Sequence, residues 1–261
     1  MLDSRPMETE TADTGPRRKG IYLLPNLMTT GCLFSGFYAI IAAIDHHFEP
    51  AGIAVFVAMV FDTLDGRIAR ATRTESAFGK EFDSLADMVS FGLAPSIVAY
   101  QWGVARISDF GHLWRQFGWL ACFFYAACAA LRLARFNARA ATADKRYFEG
   151  LPSPSAAAVV AGFVWFSSSW REPGLTGLIA AFSITAMAGA LMVSRFGYPS
   201  FKQFDPDKRV KFIYILLVPL FFVLVASEPS TLLLSMFSTY ALSAPVLWMA
   251  RRIRRAVKGA H

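Results

Sequence analysis

Four aspartates stand at helical spacing in a strongly apolar chain: Asp62 and Asp65 close one apolar run, and Asp83 and Asp87 open the next. Separations of three and four residues put each pair on one face of a helix. The two runs are joined by a short polar loop, so their helices are antiparallel neighbours and the pairs can face one another. At ~1.5 Å per residue, Asp65 lies about 9 Å inside the polar end of its helix. An ionised aspartate near mid-membrane costs ~2.5 to 3.5 kcal/mol on insertion scales, so four in one shallow layer need compensation. One or two bound divalent cations supply it. Carboxylate ligation without His or Cys points to a hard ion, Mg²⁺, Mn²⁺ or Ca²⁺, rather than zinc. The competing explanation pairs these acids with Arg67, Arg70 and Arg73 at the membrane interface. Helix-spaced pairs on two consecutive helices weigh against it. An EF-hand also fits poorly, because the stretch lacks the alternating ligand pattern and its terminal Glu.

Small residues accompany the acids. Gly66 follows Asp65, Ala69 lies on the same face, and Gly79 precedes Asp83 by four. A minimal side chain lets a flat or bulky ligand approach the backbone. A lone glycine would be read as tight helix packing, but three small residues around a metal site read as a ligand pocket. With Arg70 and Arg73 one turn apart, the set offers divalent metal, guanidinium groups and room for a planar ligand. That inventory suits a nucleotide diphosphate.

The elements that must position these residues are membrane helices. The chain has 261 residues, of which 55% are hydrophobic and 17% charged, against ~25% charged in a soluble domain; its mean hydropathy is +0.40. Apolar runs of ~18 to 20 residues suffice to cross a ~30 Å hydrocarbon core. Runs and breakers predict an all-α, polytopic transmembrane bundle of about eight helices, over residues 25–44, 51–71, 82–101, 116–136, 154–170, 174–194, 210–227 and 229–250. Pro25, Pro50, Pro154, Pro173 and Pro229 stand at or beside helix starts, where a missing amide proton costs little. Residues 1–20 read as a disordered tail without a cleavage site, 21–255 as one membrane-embedded domain and 256–261 as a C-terminal tail. Cys32, Cys122 and Cys128 all lie in apolar stretches and read as small buried hydrophobes. No repeat of fixed period is visible.

The net charge of +7 is explained by topology rather than by nucleic acid. An even helix count puts both termini on one side, and 23 of the 26 Lys and Arg residues fall on that side; only Arg106, Arg115 and Arg171 fall on the other. By the positive-inside rule, both termini and the loops 72–81, 137–153 and 195–209 are cytosolic, and the aspartates with them. Cations there face anionic lipid headgroups and retain anionic lipid substrates. His46, His47 and His112 fall on the opposite side, too far from the aspartates to be ligands.

Taken together, Asp62-x2-Asp65-Gly66-x2-Ala69-Arg70-x8-Gly79-x3-Asp83-x3-Asp87 resembles the signature of the CDP-alcohol phosphotransferases, with eight fixed positions over 26 residues. The resemblance implies a polytopic enzyme that moves a phosphoalcohol from a CDP-activated donor to an acceptor hydroxyl and releases CMP. It implies a two-metal centre on Asp62, Asp65, Asp83 and Asp87, and a cytidine and phosphate pocket lined by Gly66, Ala69, Arg70 and Gly79. It makes Asp87 the general base, a role that its place one turn deeper than Asp83 also favours. Pro25-Asn26-Leu-Met-Thr29 resembles the family's first helix, whose Asn and Thr reach the nucleotide. Ser76 is a further candidate for a phosphate contact, in a loop that also offers Thr72 and Thr74.

Two later stretches bear on the acceptor: Leu131-Arg132-Leu-Ala-Arg135-Phe136-Asn137 and Phe148-Glu149-Gly150-Leu151-Pro152-Ser153-Pro154. With the first helix they resemble the membrane-type phosphatidylserine synthases of bacteria and archaea, over roughly residues 20 to 160. The substrates implied are CDP-diacylglycerol and L-serine. Arg132 and Arg135 could bind the serine carboxylate or the donor's phosphates, and Glu149 the ammonium group; the alternative for all three is interface anchoring. Other acceptors, namely glycerol phosphate, inositol phosphate or choline, are the nearest alternative. A cation channel or transporter would instead place acids along a path through the membrane. The small residues Ala186 to Ala190 fit a homodimer or monomeric packing equally well.

Overall fold

The computed structural model describes residues 23–72, 74, 76–104, 112–139, 147–168, 174–199, 223 and 226–258. Among them the chain is almost wholly helical. The elements are α1 (Leu23–Ile44), α2 (Phe48–Thr72), α3 (Ala77–Asp87), a π-helical turn (Met88–Leu93), α4 (Ala94–Trp102), α5 (His112–Arg139), β1 (Tyr147–Glu149), α6 (Ser153–Ser167), α7 (Leu175–Val193), β2 (Gly197–Pro199) and α8 (Pro229–Lys258). The expected tail 1–20 and most of the expected helix 210–227 lie outside the described residues.

The architecture is all-α and polytopic. Among the described residues, five helices are long and apolar enough to cross a membrane: Leu24–Ile44, Ala77–Trp102, Gln116–Ala138, Leu175–Val193 and Pro229–Ile253. Two expected spans depart from that measure for different reasons. The 25 residues of α2 carry Asp62, Asp65, Arg67 and Arg70 in its polar end, whereas α6 is apolar but has only 15 residues. The expected helix 82–101 starts earlier, at Ala77, and is interrupted by the π-helical turn.

Packing follows residue size. Ala39, Ala42 and Ala43 of α1 and Ala51, Ala54, Val55 and Ala58 of α2 belong to one buried cluster, and among the described residues these two helices form the most extensive pair. Small side chains let helix backbones approach closely where lipid supplies no hydrophobic drive between helices. Helix α6 is buried along nearly its whole length, from Ser153 to Val164, as expected of a helix that is apolar all round and central. Phe34, Phe37, Phe123 and Val246 point outward. In a membrane those faces meet acyl chains.

The two short strands were not expected from the sequence. They pair antiparallel, Phe148 opposite Tyr198 and Glu149 opposite Gly197, and so bring the segment leading into α6 beside the segment leaving α7. Gly150 leaves β1 with φ +79°, a left-handed conformation that L side chains rarely adopt. Any Cβ there would also run into the Met192 carbonyl oxygen. The Tyr198 hydroxyl donates to the Ala241 carbonyl at 2.8 Å, which anchors the pair to α8.

Candidate metal centre

The polar end of α2 and the start of the α3 span bring carboxylates together. Asp62, Asp83 and Asp87 each offer one oxygen, and these three atoms lie within 4.8 Å of one another. Asp87 Oδ1 is buried without a hydrogen-bond partner. Converging carboxylates repel one another, and a buried polar atom left unpaired costs free energy. The all-oxygen donor set and the orphaned Oδ1 together fit a hard divalent cation.

Asp65 is held differently. It is 5% exposed, and its Oδ2 accepts from Thr29 Oγ1 at 2.9 Å. Thr29 is itself buried on α1, with its hydroxyl also within 3.1 Å of the Pro25 carbonyl. Thus α1 reaches the acidic layer by orienting one carboxylate. This gives Thr29 a contact with Asp65 that sequence spacing could not show, because the two are 36 residues apart.

Arg70 folds back along α2, and a Cβ at Gly66 would meet its Nη1 at 3.6 Å. Asn26 of α1 comes to the start of α3, where its Oδ1 lies 3.5 Å from the Cβ position of Gly79. Ser76 caps α3, its Oγ accepting the Gly79 amide proton at 3.0 Å, a standard use of serine before a helix. Asn26, Ser76 and Gly79 therefore meet in one place. Thr72 and Thr74, the other hydroxyls of this loop, bond to each other at 2.7 Å. Ala69 stays on α2 between Asp65 and Thr72, half-buried, and Arg73 lies outside the described residues.

The two arginines of α5 separate. Arg132 turns inward: its Nη1 donates to Ser153 Oγ at 2.8 Å, and its Nε is buried without a partner. Arg135 instead lies against α7 and β1, with Nη1 at 3.7 Å from Glu149 Oε2 and Nη2 at 3.4 Å from the Val193 carbonyl. Arg135 and Glu149 thus form a partly exposed ion pair, a kind worth little to stability. Residues that the sequence reading did not single out also tie the site together. Asn137 Nδ2 donates to Ser84 Oγ at 2.9 Å, linking α5 to α3, and Ser90 and Tyr125 fasten the π-helical turn to α1 and α5. The available signal for that turn was Pro95, inside an otherwise continuous apolar run.

The family model described as CDP-alcohol phosphatidyltransferase matches residues 22–195. A CDP-diacylglycerol–serine O-phosphatidyltransferase of Helicobacter pylori (strain ATCC 700392 / 26695) is 34% identical over 88% of this chain and 92% of its own. The protein of that name from Mycobacterium leprae is 29% identical, over 88% of this chain and 75% of its own. An archaetidylserine synthase of Methanothermobacter thermautotrophicus is 36% identical over 67% of this chain and 69% of its own.

Proposed function

The chain belongs to the CDP-alcohol phosphatidyltransferase family, and from that premise we propose that it transfers the phosphatidyl group of CDP-diacylglycerol to the hydroxyl of L-serine, giving phosphatidylserine and CMP. The observation that carries the reaction class is the convergence of Asp62, Asp83 and Asp87 on one point within the stretch matched by the family. Serine as acceptor is supported by relatives named for serine, which align well beyond the site and across most of the chain.

Asp62, Asp65, Asp83 and Asp87 are the residues to hold one or two Mg²⁺ or Mn²⁺ ions. The chemistry such an ion would supply there is neutralisation of the diphosphate charge and stabilisation of the leaving CMP. Arg70 and Ser76 face the phosphates, while Asn26, Thr29, Gly66, Ala69 and Gly79 line the nucleotide side. Asp87 takes the proton of the serine hydroxyl as that oxygen bonds to the lipid-bearing phosphorus and the P–O bond to CMP breaks. Arg132, inward-facing and only partly hydrogen-bonded, is the cation for the serine carboxylate; Arg135 and Glu149, paired with each other, frame the entrance. The domain spans residues 21–255 between short tails. Its termini and site face the cytosol, on the strength of the cation asymmetry and of a strand pair that joins two cation-bearing loops.

The test is a membrane assay that follows CMP release from CDP-diacylglycerol with Mn²⁺ or Mg²⁺ and a panel of acceptors: serine, glycerol phosphate, inositol phosphate and choline. Serine alone is expected to release CMP, and chelation by EDTA to stop it until metal is restored. Failure of every acceptor would overturn the enzyme reading, and response to a different one would overturn the choice of serine.

Thr29→Val keeps the side-chain volume but removes the donor to Asp65. Hydrogen bonds to charged groups contribute ~1.5 to 3 kcal/mol, so kcat/KM is expected to fall by at least about tenfold. Thr29→Ser should recover most of it. A valine variant with unchanged kcat/KM would show that Asp65 needs no help from α1.

A further inference from the structure

The π-helical turn Met88–Leu93 begins immediately after Asp87, and its cause is visible in the chain. In an α-helix the Phe91 carbonyl would accept from the amide of residue 95, four positions on. Residue 95 is proline, which has no amide proton and whose ring crowds the carbonyl four residues back. The turn widens instead, and Ala94 N–H donates to the Val89 carbonyl, five residues back. The Phe91 carbonyl is satisfied from another helix: the Tyr125 hydroxyl of α5 donates to it at 2.9 Å. Tyr125 is completely buried. On the opposite side Ser90, also fully buried, donates its hydroxyl to the Cys32 carbonyl of α1 at 3.0 Å, and the Cys32 thiol lies 3.5 Å from Ser90 Oγ. The turn is therefore held open from both flanks.

A wide turn of this kind contains one residue more than an α-helical turn, and one residue is about 100° of rotation. Ala94, Val98 and Trp102 of α4 are locked in the core, so a change in the width of the turn would be taken up on the α3 side, where Asp83 and Asp87 sit. We propose that Tyr125 is a positioning residue for Asp87: its bond to the Phe91 carbonyl, which Pro95 deprives of its α-helical amide partner, holds the turn that aims Asp87 at Asp62 and Asp83. The inference rests on the proposed role of Asp87 and deepens it.

Three variants test it in CMP-release and detergent-melting measurements, beside Asp87→Asn. Tyr125→Phe is expected to lower kcat about tenfold with KM for CDP-diacylglycerol within about twofold, and to lower the melting temperature. Pro95→Ala restores an amide partner for Phe91 and lets the turn tighten, so it is expected to melt no lower than the parent while its kcat falls. In the double variant Tyr125→Phe/Pro95→Ala, thermal stability should recover and kcat should stay low. Recovery of both together would assign Tyr125 a purely structural part and overturn the proposal, as would a parental kcat in Pro95→Ala. An inactive Asp87→Asn beside fully active Tyr125 and Pro95 variants would sink this inference alone. An active Asp87→Asn would sink the reading of the site beneath it.

Discussion

Asp87→Asn is expected to lower kcat for CMP release by about a thousandfold or more while CDP-diacylglycerol still binds. The substitution is isosteric, but the amide cannot take a proton from serine, and general base catalysis by a positioned side chain contributes ~10² to 10⁴ in rate. The amide oxygen remains a neutral ligand, weaker toward a cation than the carboxylate it replaces. The loss of the base falls on the transfer step, and much of the CDP-lipid binding is kept because the proposed nucleotide contacts, among them Asn26, Gly66, Arg70 and Gly79, are untouched. Asp83→Asn supplies the contrast. As a ligand without the base role, it should lose activity in a way that raised Mn²⁺ partly restores, whereas Asp87→Asn should stay inactive at any metal concentration. Steady-state kinetics against Mn²⁺, with CDP-lipid binding measured in parallel, separate the two. Near-parental turnover in Asp87→Asn would remove this residue from the base role.

The second large effect comes from a glycine. A Cβ at Gly36 would collide with Ser90 Oγ and lie 2.6 Å from Ser90 Cα, and backbone cannot move aside as a flexible side chain can. Gly36→Ala is therefore expected to drive α1 away from the π-helical turn. Overpacking of this kind costs ~1 to 3 kcal/mol, a large fraction of the margin of a folded domain. The same displacement carries Thr29 away from Asp65, and Asn26 away from Gly79, since all three α1 residues are on one rigid helix. A melting temperature lowered by several degrees and a loss of CMP release of at least about tenfold are expected together. Ser90→Gly in the Gly36→Ala background should restore only part of each, because the contact with the Ser90 backbone remains. A Gly36→Ala protein that melts and turns over like the parent would mean that α1 and the turn are farther apart than described.

Much of this architecture is legible locally. Prolines stand within two residues of the starts of α1, α2, α6, α7 and α8, and α1, α5, α6, α7 and α8 begin or end within about five residues of the expected limits, because an apolar run long enough for the hydrocarbon core leaves the backbone little alternative to a helix. The interruption at Met88–Leu93 was readable only from Pro95. A proline inside an apolar run announces a broken hydrogen bond but not the form the break takes. The β1–β2 pair was not legible: three residues on each strand, 50 apart in the chain, carry no periodicity long enough to register.

For the site, the amino-acid order by itself determined which residues share a face. Spacings of three and four are local geometry, so the pairs Asp62–Asp65 and Asp83–Asp87 could be read off directly, as could the small residues beside them. Only the tertiary structure decided how the partners divide. Helix rotation brings Asp62 to Asp83 and Asp87 and leaves Asp65 to the Thr29 hydroxyl. It turns Arg132 inward to Ser153 and sends Arg135 out to Glu149, although the two are one turn apart. The rotation of a helix about its axis is set by contacts across the bundle, here by the buried small faces of α1, α2 and α6 and by the bonds of Ser90 and Tyr125. No spacing within a single helix records those contacts.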